Sequence, residues 1–211
     1  MSVLTQANFP RLWHLFQVTV GATRDKRETI LAQYRGEERI LEVGCATGNL
    51  ARAFAGMAQL EYTGVDIDED ALAVARERFA ALKNFRFTRR SLPELAAAGE
   101  KFDLIILSNV LHHLDDAATR DMLSQTRAVA AGGASIVILE PELMHGLRNP
   151  LRRFLYALEQ GKFRRGREPL LALVVQAGLG ISSSESLDFR PNVAPFFKVW
   201  RMSLVRAAPQ A

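Results

Sequence analysis

With 211 residues, 48% of them hydrophobic, the chain can bury a full core as one domain, and no Ser/Gly-rich linker or break in composition divides it. No uninterrupted apolar stretch is long enough to span a bilayer, and the single cysteine, Cys45, excludes an intrachain disulfide and fits a reducing cytosol. The 27 Lys and Arg against 23 Asp and Glu leave a net charge of +4, a modest excess gathered mostly between Arg148 and Arg167. A cytoplasmic protein is expected, with at most a peripheral association at the inner membrane.

In chain order, the apolar run from Leu12 to Ala22 is broken by His14, Gln17 and Thr19, so it reads as a helix rather than a secretion signal. Leu12, Leu15, Phe16 and Val20 recur at helical spacing, and a second helix from Arg24 to Arg35, ended by Gly36, completes an N-terminal helical cap over residues 1–36. Five apolar runs follow: Arg39 to Val43, Leu60 to Asp66, Phe85 to Thr88, Phe102 to Asn109 and Ala134 to Glu140. Helical patterns fill the intervals. Asp68 can cap a helix from Glu69 to Leu82, and Asp115 or Asp116 one that runs to Ala130 and is ended by Gly132-Gly133. Strands alternating with helices predict an α/β fold with a doubly wound, mostly parallel sheet, and runs such as Asp103 to Leu107 lack polar alternation, as central strands covered on both faces do. Asn149-Pro150 opens a further helix closed by Gly161, and another runs from Glu168 to Ala177. Strands from Ile181 to Phe189 and Phe196 to Val205 bring the sheet to seven, the last an antiparallel hairpin partner at one edge.

The stretch Ile40-Leu-Glu-Val-Gly-Cys-Ala-Thr-Gly48, with Asp66 ending the next strand, carries most of the functional information. It predicts a strand, a glycine turn, a helix and a second strand ending in acid. Gly44 and Gly48 flank Cys45-Ala46-Thr47, so the three-glycine pyrophosphate cradle of a dinucleotide fold is incomplete. Glycine lets main chain approach a ligand closely and offers amide N–H groups to a carboxylate. Asp66, one βα unit further on, can accept both hydroxyls of a ribose. Hydrogen bonds made only to ligand would leave folding indifferent to its loss.

The order of Leu41-Glu-Val-Gly-Cys-Ala-Thr-Gly48, Gly64-Val-Asp-Ile67, Phe102-Asp-Leu-Ile-Ile-Leu-Ser-Asn109 and Leu111-His-His-Leu114 resembles the class I S-adenosylmethionine-dependent methyltransferases. The likeness runs from about Arg39 to Glu140 and extends less specifically into the last two strands, because that Rossmann-like family ends in an antiparallel hairpin. It implies S-adenosyl-L-methionine as cofactor, with Glu42, Gly44 and Gly48 on its methionine half, Cys45 and Ala46 in the same turn, Asp66 on the ribose, Ile67 on one face of the adenine, and Ser108 at the end of the neighbouring strand. Ala46 stands where a glycine is common, which is tolerable if its backbone angles are ordinary. Where the family often places an acid near the adenine amino group, this chain has Arg89-Arg90-Ser91-Leu92-Pro93, so Ser91 or the backbone of Leu92 is expected there instead.

Methyl transfer from a sulfonium is an in-line displacement that asks the protein for alignment and, where the nucleophile carries a proton, for a base. His112 and His113 follow the fourth strand's carboxyl end, where ligands collect in open α/β sheets, and neutral imidazole suits that role at pH 7. His112 is the one expected to line the site. Some quinone-pathway O-methyltransferases that this strand resembles hold a metal with acids here; Asn109 and His112 occupy the corresponding positions, so no metal is expected. Glu140, ending the fifth strand, is a candidate to face the substrate, against the plainer reading of a solvated or capping acid.

The segment 141–168 reads as a basic helical insertion above the sheet's carboxyl edge, with Arg148, Arg152, Arg153, Lys162, Arg164, Arg165 and Arg167 around an apolar helix face. Its reading is a lid over a small-molecule or lipid-like substrate, or a surface for an anionic membrane or an acyl carrier protein, set against a packed helix with a solvated basic rim. Trp13, His14, Phe16 and Tyr156 would add an aromatic wall. Oxygen or carbon is the expected methylation target. An RNA or protein methyltransferase is the second reading, weakened because the basic residues are not interleaved with stacking aromatics, and nucleic acid is not the expected partner. An NAD(P)-dependent oxidoreductase is disfavoured by Ala46 and by the lack of a Tyr-x-x-x-Lys pair.

Overall fold

The computed structural model describes residues 22–143, 161–192 and 200–210. The helix expected over Leu12 to Val20, the body of the insertion with Arg148, Arg152, Arg153 and Tyr156, and the expected strand start at Phe196 lie outside the described residues.

A seven-stranded sheet forms the centre, in the order β3-β2-β1-β4-β5-β7-β6. β1 (Arg39–Val43), β2 (Glu61–Val65), β3 (Phe85–Thr88), β4 (Phe102–Ser108) and β5 (Ala130–Pro141) run parallel, and β7 (Trp200–Pro209) pairs antiparallel with both β5 and β6 (Leu179–Phe189). Alternate residues of the central strands feed two cores. Ile40, Tyr62, Leu104 and Ile106 pack on one face with Phe54 and Phe79, while Leu41, Val43, Ile105 and Leu107 pack on the other with Leu123 and Val174.

The helices follow their sequence signals closely at their starts. They are α1 (Thr23–Leu31), α2 (Glu69–Arg78), α3 (Leu92–Ala97), α4 (Asp116–Val129) and α5 (Arg167–Gln176). Asp68 caps α2 by accepting from the Ala71 amide, and Asp115, not Asp116, caps α4 by accepting from Ala118.

Four expectations change. Between β1 and β2 there is no α-helix but a 3₁₀ turn, Ala51–Ala53, because the chain from Gly48 to Leu60 closes on successive i to i−3 bonds: Ala53 to Leu50, Phe54 to Ala51, Met57 to Phe54. Gly132-Gly133 does not simply end a helix; both lie within β5, where pairing jumps from Phe102 opposite Ala130 to Leu104 opposite Ser135, a bulge that Gly133 permits at φ +80°. The last strand is not the edge. β7 is buried along most of its length while β6, rich in serine, is partly exposed, so the polar strand takes the rim and the apolar one lies inside it. The fourth change concerns Ala46 and belongs to the site.

Candidate active site

The turn after β1 combines glycine's freedom with crowding. Gly44 and Gly48 have φ of +74° and +72°, and the Gly44 and Cys45 amides both donate to the Val65 carbonyl at 2.8 and 3.1 Å. A Cβ on Gly44 would lie 2.3 Å from Val110 Cγ2, and one on Gly48 2.8 Å from Phe79 Cε2, so protein side chains already close on both positions. Ala46 does not have ordinary angles: its φ of +45° is left-handed, a conformation that costs an alanine about 1–2 kcal/mol. Its amide explains how the conformation is held, for it donates to Asp66 Oδ2 at 2.8 Å across the two strands.

Asp66 therefore does more than wait for a ligand. Its other oxygen accepts from the Asp68 amide at 3.0 Å, so one carboxylate joins the glycine turn to the start of α2. The expectation that its bonds would be made only to a ligand does not hold. Beside it Ile67 is 86% exposed, an uncovered apolar side chain just past the end of β2. Glu42 sits beneath the turn, buried, and takes a 2.5 Å hydrogen bond from the Tyr62 hydroxyl. Burial pushes its carboxyl up to about 8 against the pull of that hydrogen bond, with the Asp66 charge adding to the rise. Burial likewise raises the Cys45 thiol well above its usual value, so it is a packed, protonated thiol.

On the adenine side, Ser91 caps α3 in a capping box. Its hydroxyl and amide both donate to Glu94 Oε2 at 2.7 Å, and its oxygen receives the Glu94 amide. Of the two expected contacts, the Leu92 amide opens the helix, where no intrahelical acceptor exists.

The fourth strand ends in a second left-handed residue. Ser108 is buried, and Asn109 follows at φ +58°, its amide bonded to the Leu139 carbonyl and its Oδ1 buried without a hydrogen-bond partner. The sequence placed Asn109 only where related quinone-pathway enzymes hold a metal and not among the cofactor contacts, although Asn is among the residues most tolerant of left-handed φ. Next, residues Leu111–His113 make a 3₁₀ turn organised by Glu140 from β5. Glu140 Oε1 accepts from the Val110 and Leu111 amides at 2.7 and 2.8 Å, and Oε2 from the His112 amide at 3.2 Å and lies 2.8 Å from His112 Nδ1. Glu140 is thus a capping acid that also orients an imidazole, fixing the neutral ring's proton on Nδ1 and leaving Nε2 as the basic nitrogen. His112 is 2% exposed, whereas His113 is exposed, their ring centroids 4.1 Å apart.

A hollow of about 220 Å³, its mouth included, is lined by His112, Glu140, Leu111, Phe163 and Arg165, among others. Arg165 belongs to the loop rather than to a basic rim: it bonds the Leu111 and Leu114 carbonyls at 2.9 and 2.7 Å and Asp116 at 2.7 Å. Among the described residues no three of His, Cys, Asp and Glu come together as metal ligands, and no helix is long and apolar enough to cross a membrane.

A sequence model described as a methyltransferase domain matches residues 41–136, the span that carries the glycine turn, Asp66 and the histidine loop. Over those residues the chain carries a methyltransferase domain, with the fold of enzymes that use S-adenosylmethionine. It is similar to the demethylmenaquinone methyltransferase of Chlorobaculum parvum, 26% identical over 156 residues that make up 74% of this chain and 58% of that one. It is also 33% identical over 135 residues to an uncharacterised protein of a Synechococcus strain, covering 62% of this chain. This chain spans only 32% of that cyanobacterial protein's length. In three dimensions, the mitomycin 7-O-methyltransferase structure superposes over 90% of this chain and 55% of its own with a TM-score of 0.68 at 15% identity, a shared fold. Within the methyltransferase domain, the buried acceptor on Asn109, the exposed Ile67 and the glycine turn suit a cationic, adenosyl-bearing ligand at the carboxyl edge of β1, β2 and β4.

Proposed function

We propose that this protein transfers a methyl group from S-adenosylmethionine to an oxygen or carbon of a small-molecule or lipid-like acceptor. The observation that carries the reading is the Asp66 carboxylate bonded to the strained Ala46 amide, which sets an acid and a glycine turn at one strand edge beside Asn109 and the His112–Glu140 pair. The cofactor, when bound, supplies a methyl group activated by its positive sulfur. Gly44 and Gly48 give room for main chain near its methionine half, Asp66 accepts from its ribose hydroxyls, Ile67 covers adenine, and the Leu92 amide donates at the adenine edge.

His112 then removes the acceptor's proton through Nε2, with Glu140 holding the ring and stabilising the imidazolium that forms. The hollow beside it faces the reacting end of an acceptor, and the insertion receives the remainder. That assignment makes the insertion the surface for a lipid-like acceptor, an anionic membrane or an acyl carrier protein. The Chlorobaculum relative, named for a quinone-type acceptor, supports the same class.

Titration calorimetry of the full chain with S-adenosylhomocysteine tests the cofactor half. Wild type binds, and Asp66→Ala loses affinity tenfold or more while also losing about 1–3 kcal/mol of stability, because two backbone amides lose their acceptor. Undiminished affinity in a folded Asp66→Ala protein would refute the assignment.

A further inference from the structure

The imidazole of His112 is held on one side by Glu140, and something must hold it on the other. That something is the segment from Gly161 to Arg165. Gly161 lies flat against the ring: a Cβ there would sit 1.9 Å from His112 Cδ2 and 2.8 Å from Cγ, although the glycine's φ does not fall in the left-handed region. The requirement for glycine is therefore imposed by the ring and not by the backbone. Two residues on, the Phe163 amide donates to the His112 carbonyl at 2.9 Å. Arg165 then closes the loop from outside through the Leu111 and Leu114 carbonyls and is tied to the chain just past β5, where the Leu143 amide donates to its carbonyl at 2.8 Å.

We infer that this strap positions the His112–Glu140 pair, Gly161 setting the place of the ring and Arg165 the place of its loop. The inference rests on the reading of His112 as the base but concerns groups that hold the imidazole and its loop and take no proton themselves. A ring pressed between a fixed carboxylate and a glycine has one tautomer and one orientation. Pushed off by a methyl group it loses the Nδ1–Glu140 hydrogen bond, and with it the reason for Nε2 to be the basic nitrogen. The strap also belongs to the carboxyl-terminal part of the insertion.

Nuclear magnetic resonance of the full chain with heavy nitrogen in its four histidines reads this directly, His112→Gln assigning the signal. Wild type should show a single Nδ1-protonated tautomer with slow proton exchange. Gly161→Ala should give a tautomer mixture and exchange of that proton faster by roughly tenfold or more, the factor that loss of one charge-assisted hydrogen bond implies. Arg165→Gln, which leaves the glycine in place, should shift the same signal in the same direction by less. Both variants should bind S-adenosylhomocysteine as wild type does. Folded variants that both keep the wild-type tautomer and exchange rate would overturn the inference. A wild type that binds no S-adenosylhomocysteine, with the His112 signal still moved by Gly161→Ala, would sink the proposed function and leave the strap standing.

Discussion

The glycine turn and the histidine loop are built on opposite principles. At the glycine turn, one carboxylate, Asp66, holds a strained alanine and a helix start through two backbone amides, at a partly exposed edge. At the histidine loop, a carboxylate buried to 4% exposure, Glu140, holds three consecutive amides and a ring, and a second segment packs over the top. The first arrangement can exchange its partners for a ligand's hydroxyls at little cost in desolvation. The second cannot, since any group withdrawn from Glu140 is left buried and unpaired. Under the proposed function, donor binding falls to an edge that can adjust, and proton removal to a pocket that is already set.

The sharpest way to break that contrast is Glu140→Ala. Three amides and an imidazole lose their acceptor in a buried site, so unfolding in denaturant should show a loss of about 3–5 kcal/mol, more than any substitution at the turn. A loss no larger than that of Asp66→Ala would mean that the histidine loop is no more rigidly built than the turn.

Much of the adjustable end was legible in sequence, and little of the rigid one. The glycines, Asp66 and the parallel strands announce themselves through local spacing: β3 has the predicted bounds, and Asp68 and Asp115 cap the helices they precede. Glu140 reads only as an acid at a strand end, because its partners lie 28 to 30 residues earlier in a loop whose path no local pattern reveals. Gly161 likewise reads as a helix stop, its packing against a ring 49 positions away being a tertiary fact. The inner place of β7 was readable in principle from the serines of β6, but only by weighing the two strands against each other. The capping box of Ser91 and Glu94 was readable outright from the spacing of the two residues.

Glu42 gives the turn a pH dependence. Its carboxyl is raised from 4.5 to about 8 in the folded protein, so between those values the native state holds a proton that the unfolded chain releases. That contribution is complete below pH 4.5 and is lost as pH rises toward 8, at about 1.4 kcal/mol per pH unit. Glu42→Gln preserves an acceptor for Tyr62 and cannot ionise. Its stability, measured by denaturant unfolding across that range, should lack this decline, and parallel curves for the two proteins would show that Glu42 titrates normally.

The smallest effect isolates strain at the turn from everything else. Ala46→Gly relieves a left-handed alanine, worth about 1–2 kcal/mol, but adds backbone freedom to the unfolded chain, worth about 0.4–1 kcal/mol in the other direction. The net gain is therefore under about 2 kcal/mol, and at roughly 2–4 °C per kcal/mol for a chain of this size it should raise the melting temperature by a few degrees. Asp66 explains why the strain persists without that substitution, because its bond to the Ala46 amide requires the turn to point that way. In an Asp66→Ala background nothing enforces the conformation, and the same glycine substitution should stabilise less. Equal gains in both backgrounds would separate the alanine's strain from the carboxylate and leave the adjustable end without the spring that sets it apart from the histidine loop.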